Sequence, residues 1–136
     1  MTLALLIQLA ALLHLGLMAA GVLMVKVTGM HKDLLALPPF TRNLFWVYFW
    51  FTGVTLFGFG ILSWVFAQEL AAGSFLARGV CGMMSTFWIL RLVVACVLLN
   101  PKPFLTHWLL HAGSLLLHLT FIYLALVYAW AAIGNL

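Results

Sequence analysis

Acid is nearly missing from this chain. Asp33 and Glu69 are the only carboxylates in 136 residues, and charged residues of all kinds make up 6%. A soluble domain carries about 25% charged residues. This chain therefore cannot cover itself with a polar surface, and lipid must be its solvent. Base is scarce too. Six Lys and Arg are spread along the sequence, too thinly for the clustered basic face that nucleic acid requires. Cysteine is limited to Cys81 and Cys96. On one helix they would lie about 22 Å apart, too far to bridge. No C-x-x-C motif is present, which argues against a membrane thiol oxidoreductase, so both read as small buried apolar residues. The start, MTLALLIQLA, has no Lys or Arg ahead of its apolar run, unlike the basic n-region of a secretory signal. It reads as a genuine first span.

What is present is long apolar runs. The hydrophobic fraction is 67%. Runs at about 3–27, 43–66, 77–99 and 106–133 each meet the roughly 20 apolar residues that a spanning helix needs. Backbone satisfaction in lipid allows helices or closed barrels, and unbroken runs of this length mean helices. The fold class expected is an all-α integral membrane protein, a single four-helix transmembrane bundle over 1–136. Its breaks are well punctuated. The loop at 28–42 holds Gly29 and Pro38-Pro39, with an apolar LLALPPF that could lie along the membrane surface. The second break is AQELAAGS, and the third is NPKP, where Pro101 and Pro103 end one helix before the next.

Lys and Arg set the orientation. Lys26, Lys32 and Arg42 flank the first loop and Lys102 lies in the third, whereas the second has Arg78 beside Glu69. The positive-inside rule puts the first and third loops in the cytoplasm and both termini outside. Aromatic belts agree: Phe45, Trp46, Tyr48 and Trp50 open the second span, Trp108 opens the fourth, and Tyr128 and Trp130 lie near its far end. Size and charge fit a bacterial inner membrane.

Ionisable residues inside spans are costly and mark functional candidates. They are His14, Arg91, His107, His111 and His118. At about 100° per residue, His111 falls about 40° and His118 about 20° from His107, and Ser114 joins the same line. Phe121, Ala125, Tyr128 and Ala132 continue it. Leu109, Leu116, Tyr123 and Val127 fall on the opposite side, so the polar seam should face protein and that back should face lipid. Counting from Lys26, Lys102 and His107 places His14, Arg91 and His118 at one depth, about 16–18 Å from the inner surface. They are expected to form a polar layer inside the bundle. Ala10, His14, Gly21 and Val25 share a face of the first span. The second span offers Tyr48, Thr52, Thr55, Phe59 and Phe66 at 4–3 spacing, with Gly53 and Gly60 beside them. Met84, Phe87, Trp88, Ala95 and Leu98 surround Arg91, and Trp88 could offer its face to the guanidinium. No carboxylate stands at that depth to answer Arg91.

Four functions compete for these residues. In the first, haem b is held between His14 and His118, with His111 as an alternative ligand and Arg91 on a propionate. In the second, the chain is an accessory subunit of a membrane complex, or a homo-oligomer, with no cofactor; its histidines bond across helices and Arg91 meets a partner's carboxylate. In the third, His107, His111, Ser114 and His118 pass protons, although small exporters ordinarily couple through a membrane carboxylate. The fourth is a small membrane enzyme acting on lipid-like substrates. For that reading, Thr41-Arg42-Asn43 at the start of the second span is similar to the Arg/Asn-rich cytoplasmic helix start of the glutathione- and eicosanoid-metabolising membrane family. The size, span count and outside termini are similar in outline as well. The glutamates and further arginines of that pattern are replaced by LFWVYFWF. Zinc is disfavoured because no Cys/His cluster has suitable spacing, and neither a Ser-His-acid set nor a phosphate-cradling glycine loop is present. The reading adopted is a small subunit of a membrane complex rather than an enzyme, with electron transfer through haem b as its sharpest chemical form.

Overall fold

The structure is a computed structural model that describes residues 2–98 and 106–134. Pro101, Lys102 and Pro103, used above to end the third span and to orient the chain, lie outside the described residues. The elements are α1 (Leu3–Val27), α2 (Met30–Leu35), α3 (Pro39–Val65), α4 (Ala67–Ala72), α5 (Phe75–Val97) and α6 (Trp108–Ile133). Four of them, α1, α3, α5 and α6, are long and apolar enough to cross a membrane. The chain is thus all-helical among the described residues and reads as an integral membrane protein.

Local chemistry explains the boundaries. Pro39 opens α3, ahead of the expected 43, because its fixed φ suits the first helical position and its missing N–H would be unpaired there anyway. Arg42 therefore belongs to the first turn of α3. The loop around it is shorter than its sequence suggested, because 30–35 coil into α2, which buries only Leu34. The second break is a helix as well. Ala67 and Leu70 of α4 are buried against α1 and α5, and Gly73 ends it at φ 72°, a left-handed conformation that glycine adopts without steric cost. Ser74 then caps α5, its side chain accepting from the Ala77 N–H at 3.2 Å.

The long helices pack as two pairs, α1 with α3 and α5 with α6, joined where α1 meets α6. Between apolar helices in lipid there is little hydrophobic drive, so close packing and hydrogen bonds must hold them. Among the described residues, three side-chain bonds join the long helices. Ser85 Oγ donates to the Ala125 carbonyl at 2.9 Å, Tyr123 Oη donates to the Leu6 carbonyl at 3.0 Å, and Ser63 Oγ and Tyr128 Oη share one at 2.6 Å. All three lie toward the end of the bundle that carries the start of α1 and the end of α6. Burial follows the same gradient. Ala4, Ile7, Ala10, Ala11 and His14 are buried in α1 before the pattern thins to Val25, and α6 is buried only from Thr120 onward.

Two faces differ from the sequence expectation. In α6, Val127 is buried and Tyr123 half-buried, although both were assigned to the lipid side. The second half of α6 packs against both α1 and α5, so its protein-facing side is wide enough to take in Val127 and part of Tyr123, while Ile122, Leu126 and Trp130 stay exposed. In α3, Tyr48, Thr52, Thr55 and Phe66 are exposed, and the buried line is Leu56, Gly60 and Ser63. Contact with α1 selects the smallest residue: a Cβ at Gly60 would lie 3.4 Å from His14 Cβ and 3.5 Å from the Ala11 carbonyl. Cys81 is buried as expected, but Cys96 is exposed.

Candidate functional site: a histidine in an aromatic cage

His14 is wholly enclosed, at 0% exposure. Each of the other long helices brings a ring against it: Trp88 from α5 at 5.3 Å between ring centres, Phe59 from α3 at 5.9 Å and Tyr128 from α6 at 6.0 Å, all edge-on. Edge-to-face contacts place positive ring edges against π-faces, the favoured arrangement for aromatic pairs. Phe87 closes the α3–α5 side, 5.4 Å from Phe59 and 5.2 Å from Trp88.

The polar atoms of the cage are unevenly matched. His14 Nδ1 lies 2.7 Å from the carbonyl of Ala10, one turn back on its own helix. A carbonyl only accepts, so Nδ1 carries the proton, and in the neutral ring Nε2 is a bare acceptor. That Nε2 is buried with no hydrogen-bond partner, and so is the Nε1–H of Trp88. Tyr128 and Ser63 share one hydrogen bond at 2.6 Å. Nε and Nη2 of Arg78, in the first turn of α5, are also buried without a partner.

His118 repeats part of this arrangement. Its Nδ1 lies 2.7 Å from the Ser114 carbonyl, which again leaves Nε2 as the free acceptor, but the residue is only half-buried. Phe121 stands 6.5 Å from His118 and stacks on Trp88 at 5.4 Å. His14 and His118 are thus linked through Trp88 and Phe121.

The depth expectation can be examined through the α5–α6 register. Ser85 meets Ala125 and Trp88 meets Phe121. One more step along this antiparallel pair brings Arg91 level with His118, about one turn, or 5 Å, beyond the His14–Trp88 level. The three residues do share a narrow slab. They do not share an interior, because Arg91 is exposed. It lies toward the edge of the α5 face that carries Met84 and Trp88. His107 and His111 are exposed as well. His107 caps α6, its Nδ1 accepting from the Leu109 N–H at 3.4 Å. Among the described residues no three His, Cys, Asp or Glu gather as a metal site.

A shallow apolar groove of about 290 Å³ runs between α1 and α3, lined by residues that include Ala11, Leu15, Phe57, Gly60 and Trp64. Sequence reasoning reached His14 and the presence of Trp88, but it missed Ser63 and Ser85. The 4–3 spacing of Leu56, Gly60 and Ser63 was a signal for the first of these. No family model matches the chain, and no curated protein or solved structure matches it.

Proposed function

We propose that this chain is a small subunit of a larger membrane assembly and not an enzyme, held in a bacterial inner membrane with both termini outside. The observation that carries the reading is Arg91. Its side chain is exposed on α5, well inside a spanning helix, where leaving a guanidinium to lipid costs about 3 kcal/mol on insertion scales. The chain's only acids, Asp33 and Glu69, lie in α2 and α4, outside the spans. A second copy therefore cannot bring a carboxylate to that depth, and a different membrane subunit supplies it. The test is Arg91→Leu, read in two ways. Purified alone in a bilayer nanodisc, the variant is expected to melt no lower than the parent chain, since a cation has left the lipid surface. In native membranes it is expected to migrate as free subunit instead of in its complex on native gels. An unchanged complex would refute the reading and leave Arg91 reaching to lipid phosphate.

A second reading is favoured by the histidine geometry. Metal-bound histidines ordinarily donate their other ring N–H to a carbonyl or carboxylate. His14 and His118 both direct Nδ1 to a carbonyl one turn back, leaving Nε2 available. In this reading they would hold haem b for electron transfer, beside the Trp88 and Phe121 rings that link them. A reduced-minus-oxidised absorption spectrum in mild detergent tests it. A sharp α-band, lost in His118→Ala, is the supporting result; a flat spectrum from folded protein removes the reading.

A further inference from the structure

We infer that His14 and Trp88 together bind a single hydroxyl group at the centre of the bundle, which donates to His14 Nε2 and accepts from Trp88 Nε1–H. The two atoms are complementary orphans, one a bare acceptor and the other a donor. Their rings pack at 5.3 Å and 68°, and neither nitrogen has a hydrogen-bond partner. His14 is 0% and Trp88 1% exposed, so neither is satisfied from outside the bundle. A buried polar atom left unmet keeps the full cost of losing its water, and buried polar atoms in native proteins are nearly always paired. The hydroxyls nearby bond elsewhere and not to these two nitrogens: Ser63 and Tyr128 share one bond, and Ser85 donates to the Ala125 carbonyl. One oxygen about 3 Å from each nitrogen satisfies both at once, and a water bridging two buried groups is a normal structural component.

A trapped water and the hydroxyl of a lipid-soluble phenol share this chemistry. The complete enclosure of both side chains favours water. The site is independent of the partner reading, and it competes with haem b for the same nitrogen.

The experiment is solid-state NMR of the full chain in lipid vesicles, with ¹⁵N-labelled His and Trp and magnetisation transferred from water protons. Transfer to both Trp88 Nε1–H and the His14 ring is expected, together with a hydrogen-bonded ¹⁵N shift at His14 Nε2. Trp88→Phe keeps a ring and deletes the donor. In that variant the transfer to His14 is expected to fall to background while the signal of half-buried His118 persists. If the variant does not fold, the parent measurement decides alone. A through-bond coupling between Trp88 Nε1 and His14 Nε2 would overturn the proposal, since it would show a direct bond. So would the absence of both water transfer and a ligand hydroxyl, or a haem spectrum that broadens the His14 signal. Solvent extraction with mass spectrometry distinguishes the sources. A phenol recovered at about one per chain, with the shift at Nε2 lost on delipidation, would support the hydroxyl site and assign its oxygen to that molecule.

Discussion

Gly60 is the residue on which the α1–α3 contact turns. An added Cβ would meet His14 Cβ at 3.4 Å and the Ala11 carbonyl at 3.5 Å, ordinary contact distances with nothing to spare. Gly60→Ala is therefore expected to change stability by less than about 1 kcal/mol, with the helical preference of alanine offsetting the tight fit. Gly60→Leu is expected to cost about 1–3 kcal/mol, because overpacking forces side chains off their rotamers and backbones apart. Thermal melts of the two variants in one detergent check the pair, and equal melting points would show that the close approach carries no weight. Sequence reasoning placed Gly60 beside a seam and not in it. Helical phase was available from the 4–3 spacing, but two overlapping lines satisfied it. Only the size of the residue facing α1 decides between Phe59 and Gly60.

At the level of the element, the four long apolar helices were legible, and α1 carries the same limits in sequence and structure, but the short helices α2 and α4 and the early start of α3 were not. Orientation was less so. A helix in lipid can present an apolar surface to either lipid or protein, so hydrophobicity does not separate the two sides of α6 as it does in water. Val127 and Tyr123 show the consequence, since both face neighbours. What distinguishes the sides is hydrogen bonding. Ser85→Ala removes the α5–α6 bond to the Ala125 carbonyl and is expected to cost about 0.6 kcal/mol, the average for such bonds between membrane helices, and no more than about 1.7. Tyr128→Phe takes away the partner of buried Ser63 and should cost more, about 1–3 kcal/mol. Reversible unfolding of both variants in mixed micelles gives the order, and the reverse order would show that the Ser63–Tyr128 bond is idle.

For the whole molecule, the candidate site was legible in depth and not in direction. Counting residues placed His14, Arg91 and His118 in one slab, and the α5–α6 register agrees. Counting along single helices cannot tell which neighbour is present at a given level, so the exposure of Arg91 was out of reach. The same openness gives a labelling prediction. Cys81 is buried and Cys96 exposed. The folded chain in detergent is expected to take one equivalent of a small apolar thiol reagent, at Cys96, and a second only after denaturation. Intact-mass spectrometry counts the adducts, and two on the folded chain would contradict the packing of α5.

Among the described residues, the three bonds that join the long helices run from the His14 cage toward one end of the bundle, and this gives it the mechanics of a clothes-peg. From Ser63, where α3 is fastened to α6, to Phe45 near the other end of α3 is about 27 Å along the helix axis. A tilt of about 5° at the fastened end thus displaces the far end by about 2 Å and breaks no cross-helix hydrogen bond, given the rise per residue of a rigid helix. Whatever grips the free ends moves them far while the Gly60–His14 contact, about one turn from the pivot, shifts by only a few tenths of an ångström.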